Sequence, residues 1–103
     1  MQIEHWDEGR DGPLTEANMR RKLNDRGYEA TRYTYPPGAW FPDHDHGVDK
    51  IDGVLSGRLR VTMNGVTKVL GAGDLVIVPK HVFHNVEVVG DAPVVSLDAV
   101  RVG

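Results

Sequence analysis

The residues with the clearest chemistry are histidines. His44 and His46 stand two apart, and the segment before them, Tyr35-Pro36-Pro37-Gly38-Ala39-Trp40-Phe41-Pro42-Asp43, holds three prolines and excludes a helix. On an extended strand, side chains two apart point to the same face. The pair therefore sets two imidazoles side by side, which is one way to begin a metal site. A third histidine, His84, follows the apolar run Leu75-Val76-Ile77-Val78 and Pro79. It reaches the same interior if the strands close into a barrel. Three neutral imidazoles suffice for zinc and also suit iron, copper or nickel. The competing expectation is three solvated loop histidines, and the flanking pattern has to decide between the two.

Those flanks read as strand and turn. Tyr28 to Tyr35 is rich in aromatic and β-branched residues, which favours a strand. Further extended stretches run from Ala39 to His46 and from Val48 to Leu55. Ser56-Gly57 turns into Arg58 to Met63, where Leu59, Val61 and Met63 alternate with polar residues. Asn64-Gly65 is a two-residue hairpin signal leading to Val66 to Leu70. Gly71-Ala72-Gly73-Asp74 turns again into Leu75 to Val78, and His84 to Val89 and Pro93 to Val100 follow. Eight or so short strands at even spacing predict a β-sandwich or barrel.

The N-terminal segment is different. Ile3 to Trp6 is expected as a short edge strand and Asp7 to Gly12 as a polar turn. One short helix is predicted over 16–26. Thr15 is its N-cap, Glu16 lies in the first turn, Met19 and Leu23 form a narrow apolar stripe, and Gly27 ends it. Arg20, Arg21, Lys22 and Arg26 suit its C-terminal dipole end and are expected on a solvated face.

The chain has 103 residues, enough for a single domain over 1–103, with an N-terminal strand and helix over 1–29 and a barrel core over 30–100. Hydrophobic residues make up 40% and the net charge is −3 without a basic block, which argues against nucleic acid as a partner. The absence of cysteine removes disulfides and thiol chemistry. No apolar run is long enough for a membrane span, and the acidic N-terminus lacks a signal-peptide core, so a cytoplasmic location is expected.

With both stretches in view, the pattern resembles the cupin superfamily, in its small single-domain, RmlC-like form. Gly38, His44, His46, Lys50 and Gly57 follow the spacing of the first cupin motif, with Lys50 where the family usually has glutamate. Gly73, Pro79, His81 and His84 follow the second, with His81 where glycine is usual and Val88 where asparagine is usual. The 15 residues between Gly57 and Gly73 match the short spacers of small cupins. The resemblance covers about residues 30–100. It implies a mainly β fold, a double-stranded β-helix or jelly roll, with a metal held inside by three histidines and one glutamate. His44, His46 and His84 take the histidine positions. The implied cofactor is a divalent metal such as zinc, iron, nickel or manganese.

Lys50 in the glutamate position has three readings. In the first, three histidines still hold the metal, water fills the open positions, and Asp52, two residues on and on the same strand face, neutralises the lysine. In the second, the ammonium takes the place of the metal, hydrogen-bonds neutral imidazoles, and the pocket takes an anionic or sugar-like ligand. In the third, Lys50 is a catalytic base or Schiff-base amine with a lowered pKa. His81 is expected near the barrel mouth, as a substrate contact or as an exposed turn residue. Tyr33, Tyr35, Trp40 and Phe41 are expected in a pocket, a core or a dimer interface. Asp45 is expected to point away from the histidine pair, His5 to lie on the surface, and Asp98, on the last strand, to support a ligand from behind.

Two functions follow. The first is a metal-binding cupin that, by its resemblance, is a dioxygenase, isomerase or lyase acting on a small polar substrate. The second is a non-catalytic small-ligand-binding module. A homodimer is expected in either case, paired through the N-terminal strand or the apolar face of one sheet.

Overall fold

The computed structural model describes residues 1–102. Among them are nine strands and two helices: β1 (Gln2–His5), α1 (Glu8–Asp11), α2 (Glu16–Asp25), β2 (Tyr28–Tyr35), β3 (Trp40–His44), β4 (Lys50–Ser56), β5 (Arg58–Met63), β6 (Val66–Leu70), β7 (Asp74–Val78), β8 (His84–Val89) and β9 (Val94–Arg101). The chain is mainly β, in two antiparallel sheets. One has the order β1-β7-β4-β9-β2 and the other β3-β8-β5-β6. No helix among the described residues is long and apolar enough to cross a membrane.

Strand alternation sorts the residues into layers. Val54, Val76, Val78 and Val94 of the first sheet meet Leu59, Val61, Met63, Leu70 and Val88 of the second, which forms the core between the sheets. The alternate residues of the first sheet, Ile51, Leu75, Leu97 and Ala99, point the other way and are covered by Met19 and Leu23 of α2. Both α2 residues are fully buried, and truncating either to alanine should cost about 2–5 kcal/mol. Gly53 permits this close approach, because a Cβ there would stand 2.6 Å from the Met19 sulfur. The helix begins as its sequence directs, with the Thr15 hydroxyl accepting from the Asn18 N–H.

The N-terminal segment departs from expectation in two ways. Residues 7–12 are not only a polar turn, because Asp7 caps the four-residue helix α1 by accepting from the Gly9 and Arg10 N–H groups. The expected single N-terminal helix is therefore two. Nor is the basic face of α2 wholly solvated. Lys22 Nζ lies 2.8 Å from Asp11 and 5.5 Å above the Trp6 ring, and Arg26 forms a two-pronged contact with Glu4. These contacts tie α1, α2 and β1 together over the first sheet. Lys22 and Arg10 hold the Asp11 carboxyl well below the usual carboxylate range, with Arg10 the larger cause.

Candidate metal centre

Toward one end, the space between the sheets changes from apolar to polar. A cavity of about 460 Å³ opens there, with histidines on one side and charged residues on the other. His84 begins β8 and is paired directly with His44 at the end of β3. His46 lies two residues beyond the end of β3, so the shared strand expected for His44 and His46 is not observed. The β3–β8 register shifts between Phe41 and His44, and the chain leaves the ladder after His44. The three rings nevertheless converge, with centroids 4.8 Å apart for His44–His46, 4.3 Å for His44–His84 and 5.3 Å for His46–His84.

Backbone contacts decide which nitrogens face inward. The Nδ1 of His44 is 2.7 Å from the Pro42 carbonyl, and that of His84 is 2.9 Å from the Val82 carbonyl. A carbonyl only accepts, so each Nδ1 carries a proton, and in the neutral ring Nε2 is the nitrogen with the free lone pair. The Nε2 of His46 is buried without a hydrogen-bond partner. Burial first, then the Lys50 ammonium and the two neighbouring rings, pull His46 below the ordinary histidine value. His84 is also lowered, chiefly by burial and against the pull of the Val82 carbonyl. Neutral imidazoles are the form that binds metal. The three residues can place one ligand atom each within 4.8 Å of one another. The orphaned His46 nitrogen and the two oriented tautomers fit a divalent ion.

The opposite side comes from the first sheet. Lys50 and Asp52 on β4 lie two apart on one face, and Asp98 of β9 is the cross-strand partner of Asp52. Lys50 Nζ is 3.6 Å from Asp52 Oδ1, close enough for an ion pair and too far for a hydrogen bond, so that buried oxygen has no hydrogen-bond partner. Both Asp98 oxygens do accept hydrogen bonds, from Tyr35 Oη and from Ser96 Oγ, each at 3.0 Å. Burial, then the Asp98 charge, push Asp52 up to about 7 against the opposing pull of Lys50. Tyr35 is raised as well, by burial and then by Asp98. Tyr33 stacks on Tyr35 at 5.8 Å, and Phe41 meets Tyr35 edge-on at 4.9 Å.

The remaining candidates divide between the cavity and the surface. His81 does not line the cavity. Its ring is 69% exposed, 3.5 Å from Asp45, and its backbone adopts φ +64°. Asp45 lies outside the strand and does not line the cavity. Asp43 accepts from Asn85, and Asp49 accepts from the Lys80 backbone N–H. His5 is an exposed partner of Asp74, and Trp40 is exposed. Tyr33, Tyr35 and Phe41 reach the cavity. Asp98 does not contact the histidines from behind. It stands across the cavity, as the cross-strand partner of Asp52.

A barrel end with three inward imidazole nitrogens is a cupin arrangement, and comparison with known proteins agrees. The sequence model of the Cupin domain family matches residues 31–100, and the chain belongs to that family. Among solved structures, a cupin protein from Bacteroides fragilis is 30% identical at a TM-score of 0.62, the match covering 79% of this chain and 75% of that one. An RmlC-like cupin from Shewanella frigidimarina is 30% identical at a TM-score of 0.64, covering 72% and 65%. The DMSP lyase DddQ from Ruegeria pomeroyi is 28% identical at a TM-score of 0.66, but the 74% of this chain that matches spans only 39% of the lyase. No curated protein sequence matches the chain.

Proposed function

We propose that this protein is a metal-dependent cupin in which His44, His46 and His84 hold a divalent ion on one side of a small-molecule cavity. The observation that carries this reading is the convergence of three imidazoles, two with Nδ1 fixed by a backbone carbonyl and the third with a buried, unpartnered Nε2. When bound, such an ion supplies a Lewis acid for a substrate oxygen. The chain supplies the rest. Lys50 brings a cation, Asp52 a buried carboxyl whose proton affinity is raised, Asp98 a second carboxylate, and the aromatic side holds an apolar group. This combination suits an isomerase or lyase acting on a small polar substrate, and the likeness to a DMSP lyase supports that class over a dioxygenase. The facing sheets are read as a jelly roll.

Metal analysis is the direct test. The purified protein should carry a near-stoichiometric divalent ion, and His44→Ala or His84→Ala should weaken its binding on the order of a hundredfold or more. Unchanged metal content in both variants would overturn the site. A parent protein that binds no metal would favour the non-catalytic module, with the Lys50 ammonium hydrogen-bonded among the imidazoles. We also propose a homodimer, for which light scattering should report twice 11.4 kDa and a single-chain mass at every concentration would count against it.

A further inference from the structure

The metal reading leaves Lys50 without a task. Its side chain lines the cavity and is 13% exposed. An ammonium has three donors and no acceptor. Asp52, at 3.6 Å, balances its charge without satisfying those donors. The histidine lone pairs that would accept from it are the ones directed at an ion. The donors of Lys50 are therefore free for something that enters the cavity.

Charge narrows what that is. A divalent ion on neutral imidazoles brings two positive charges and Lys50 adds one. Asp52 and Asp98 can offset at most two of these charges. At least one positive charge therefore remains in the cavity. A singly charged anion reduces it, whereas a neutral ligand leaves it. Burying an uncompensated charge is costly, so an anion is favoured over a neutral ligand. Shape narrows it further. Tyr33, Tyr35 and Phe41 offer aromatic faces beside the charged groups, and about 460 Å³ suits a small ligand.

We propose that this cavity binds a small, singly charged organic carboxylate, with one oxygen received by the Lys50 ammonium, the other turned to the ion of the three histidines, and the carbon body against Tyr33, Tyr35 and Phe41. This rests on the metal reading above and adds a substrate class to it. Lys50 is then the residue that selects anions, and Asp52 is its positioning partner.

The test uses the full chain loaded with cobalt(II), whose visible absorption reports both metal binding and a change of ligand at the metal. Propionate is the probe and propionamide its uncharged counterpart of the same shape. Propionate should perturb the spectrum saturably, and propionamide should bind at least about tenfold more weakly. Lys50→Met should weaken propionate by about tenfold or more while cobalt binds no less tightly, and Lys50→Arg should restore most of the loss. Cobalt-loaded Lys50→Met that binds propionate as the parent does would overturn the proposal alone, and so would equal affinity for propionamide. A parent that takes up no cobalt would overturn the metal reading and this proposal together. Since Lys50→Arg keeps the cation, it separates loss of the anion site from loss of the fold.

Discussion

The two sides of the cavity are built by different means. On the histidine side, orientation is local. His44 and His84 each bond a carbonyl two residues upstream, so each ring is set by its own short segment. On the charged side, orientation is long-range. Tyr35, Asp52 and Asp98 come from β2, β4 and β9, and they meet only because β9 is paired with both of the other strands. Local bonds fix a tautomer, and strand register fixes a charge pattern. The first side is suited to holding an ion, and the second to setting the charge of what the ion faces.

The largest effect should come from making the charged side resemble a ligand. Lys50→Glu removes a cation and adds an oxygen donor, and both changes favour a dication. One unit charge about 5 Å from a divalent ion is worth about 3 kcal/mol per ion charge at an effective dielectric of 20, so the metal should bind at least about tenfold more tightly. Without metal, the same variant places a third carboxylate beside Asp52 and Asp98 and should melt at a lower temperature than the parent. Equal or weaker metal affinity, read by calorimetry, would show that residue 50 does not act on the ion.

A smaller effect separates the two sides by pH. Asp52 is pushed from 3.8 to about 7 in the folded chain, first by burial and then by Asp98. The groups facing it are Asp98, Lys50 and, through Asp98, Tyr35. Between those pH values the folded state binds more protons than the unfolded one, so stability falls as pH rises from about 4 to about 7. Asp52→Asn lacks this titration. In chelator-treated protein its melting temperature should fall less over that window than the parent's. Parallel curves would mean that Asp52 is already ionised at the low end.

The histidine side was legible in the sequence because its chemistry follows from residue type and spacing. His44, His46 and His84 all reach the cavity, and so does Lys50 on the opposite side, which the same motif spacing picks out. The strands Tyr28–Tyr35, Arg58–Met63, Val66–Leu70 and His84–Val89 have the expected bounds, because alternation and the Asn64-Gly65 turn are local signals. His81 shares that spacing yet lies outside, since a left-handed turn residue is aimed by its backbone and not by its place in a motif. The charged side was harder to read. Asp98 gains its meaning from Asp52 and Tyr35, which are brought to it by strand pairing across most of the chain. A weaker signal was nonetheless present. Ser96 and Asp98 alternate with the apolar Val95, Leu97 and Ala99, as Lys50 and Asp52 do with Ile51. Polar residues on one face of a strand whose other face is apolar, in a sheet covered by a helix, mark an interior that is polar by design.

The smallest expected effect is the sharpest test of whether the two sides act independently. Tyr35→Phe removes the hydroxyl that donates to Asp98 at 3.0 Å and keeps the ring packed against Tyr33 and Phe41. Ser96 still donates to the other Asp98 oxygen, so the carboxylate stays partly satisfied. Losing one bond to a charged acceptor should cost about 1.5–3 kcal/mol, less whatever water returns through the cavity mouth. Metal affinity should stay within about twofold, because the bonds that orient His44 and His84 end on the carbonyls of Pro42 and Val82 and involve nothing on the first sheet. Chemical denaturation gives the first quantity and metal titration the second. A tenfold loss of metal affinity in Tyr35→Phe would show that the charged side holds the ion as well as facing it, and the separation of roles drawn from the geometry would fail.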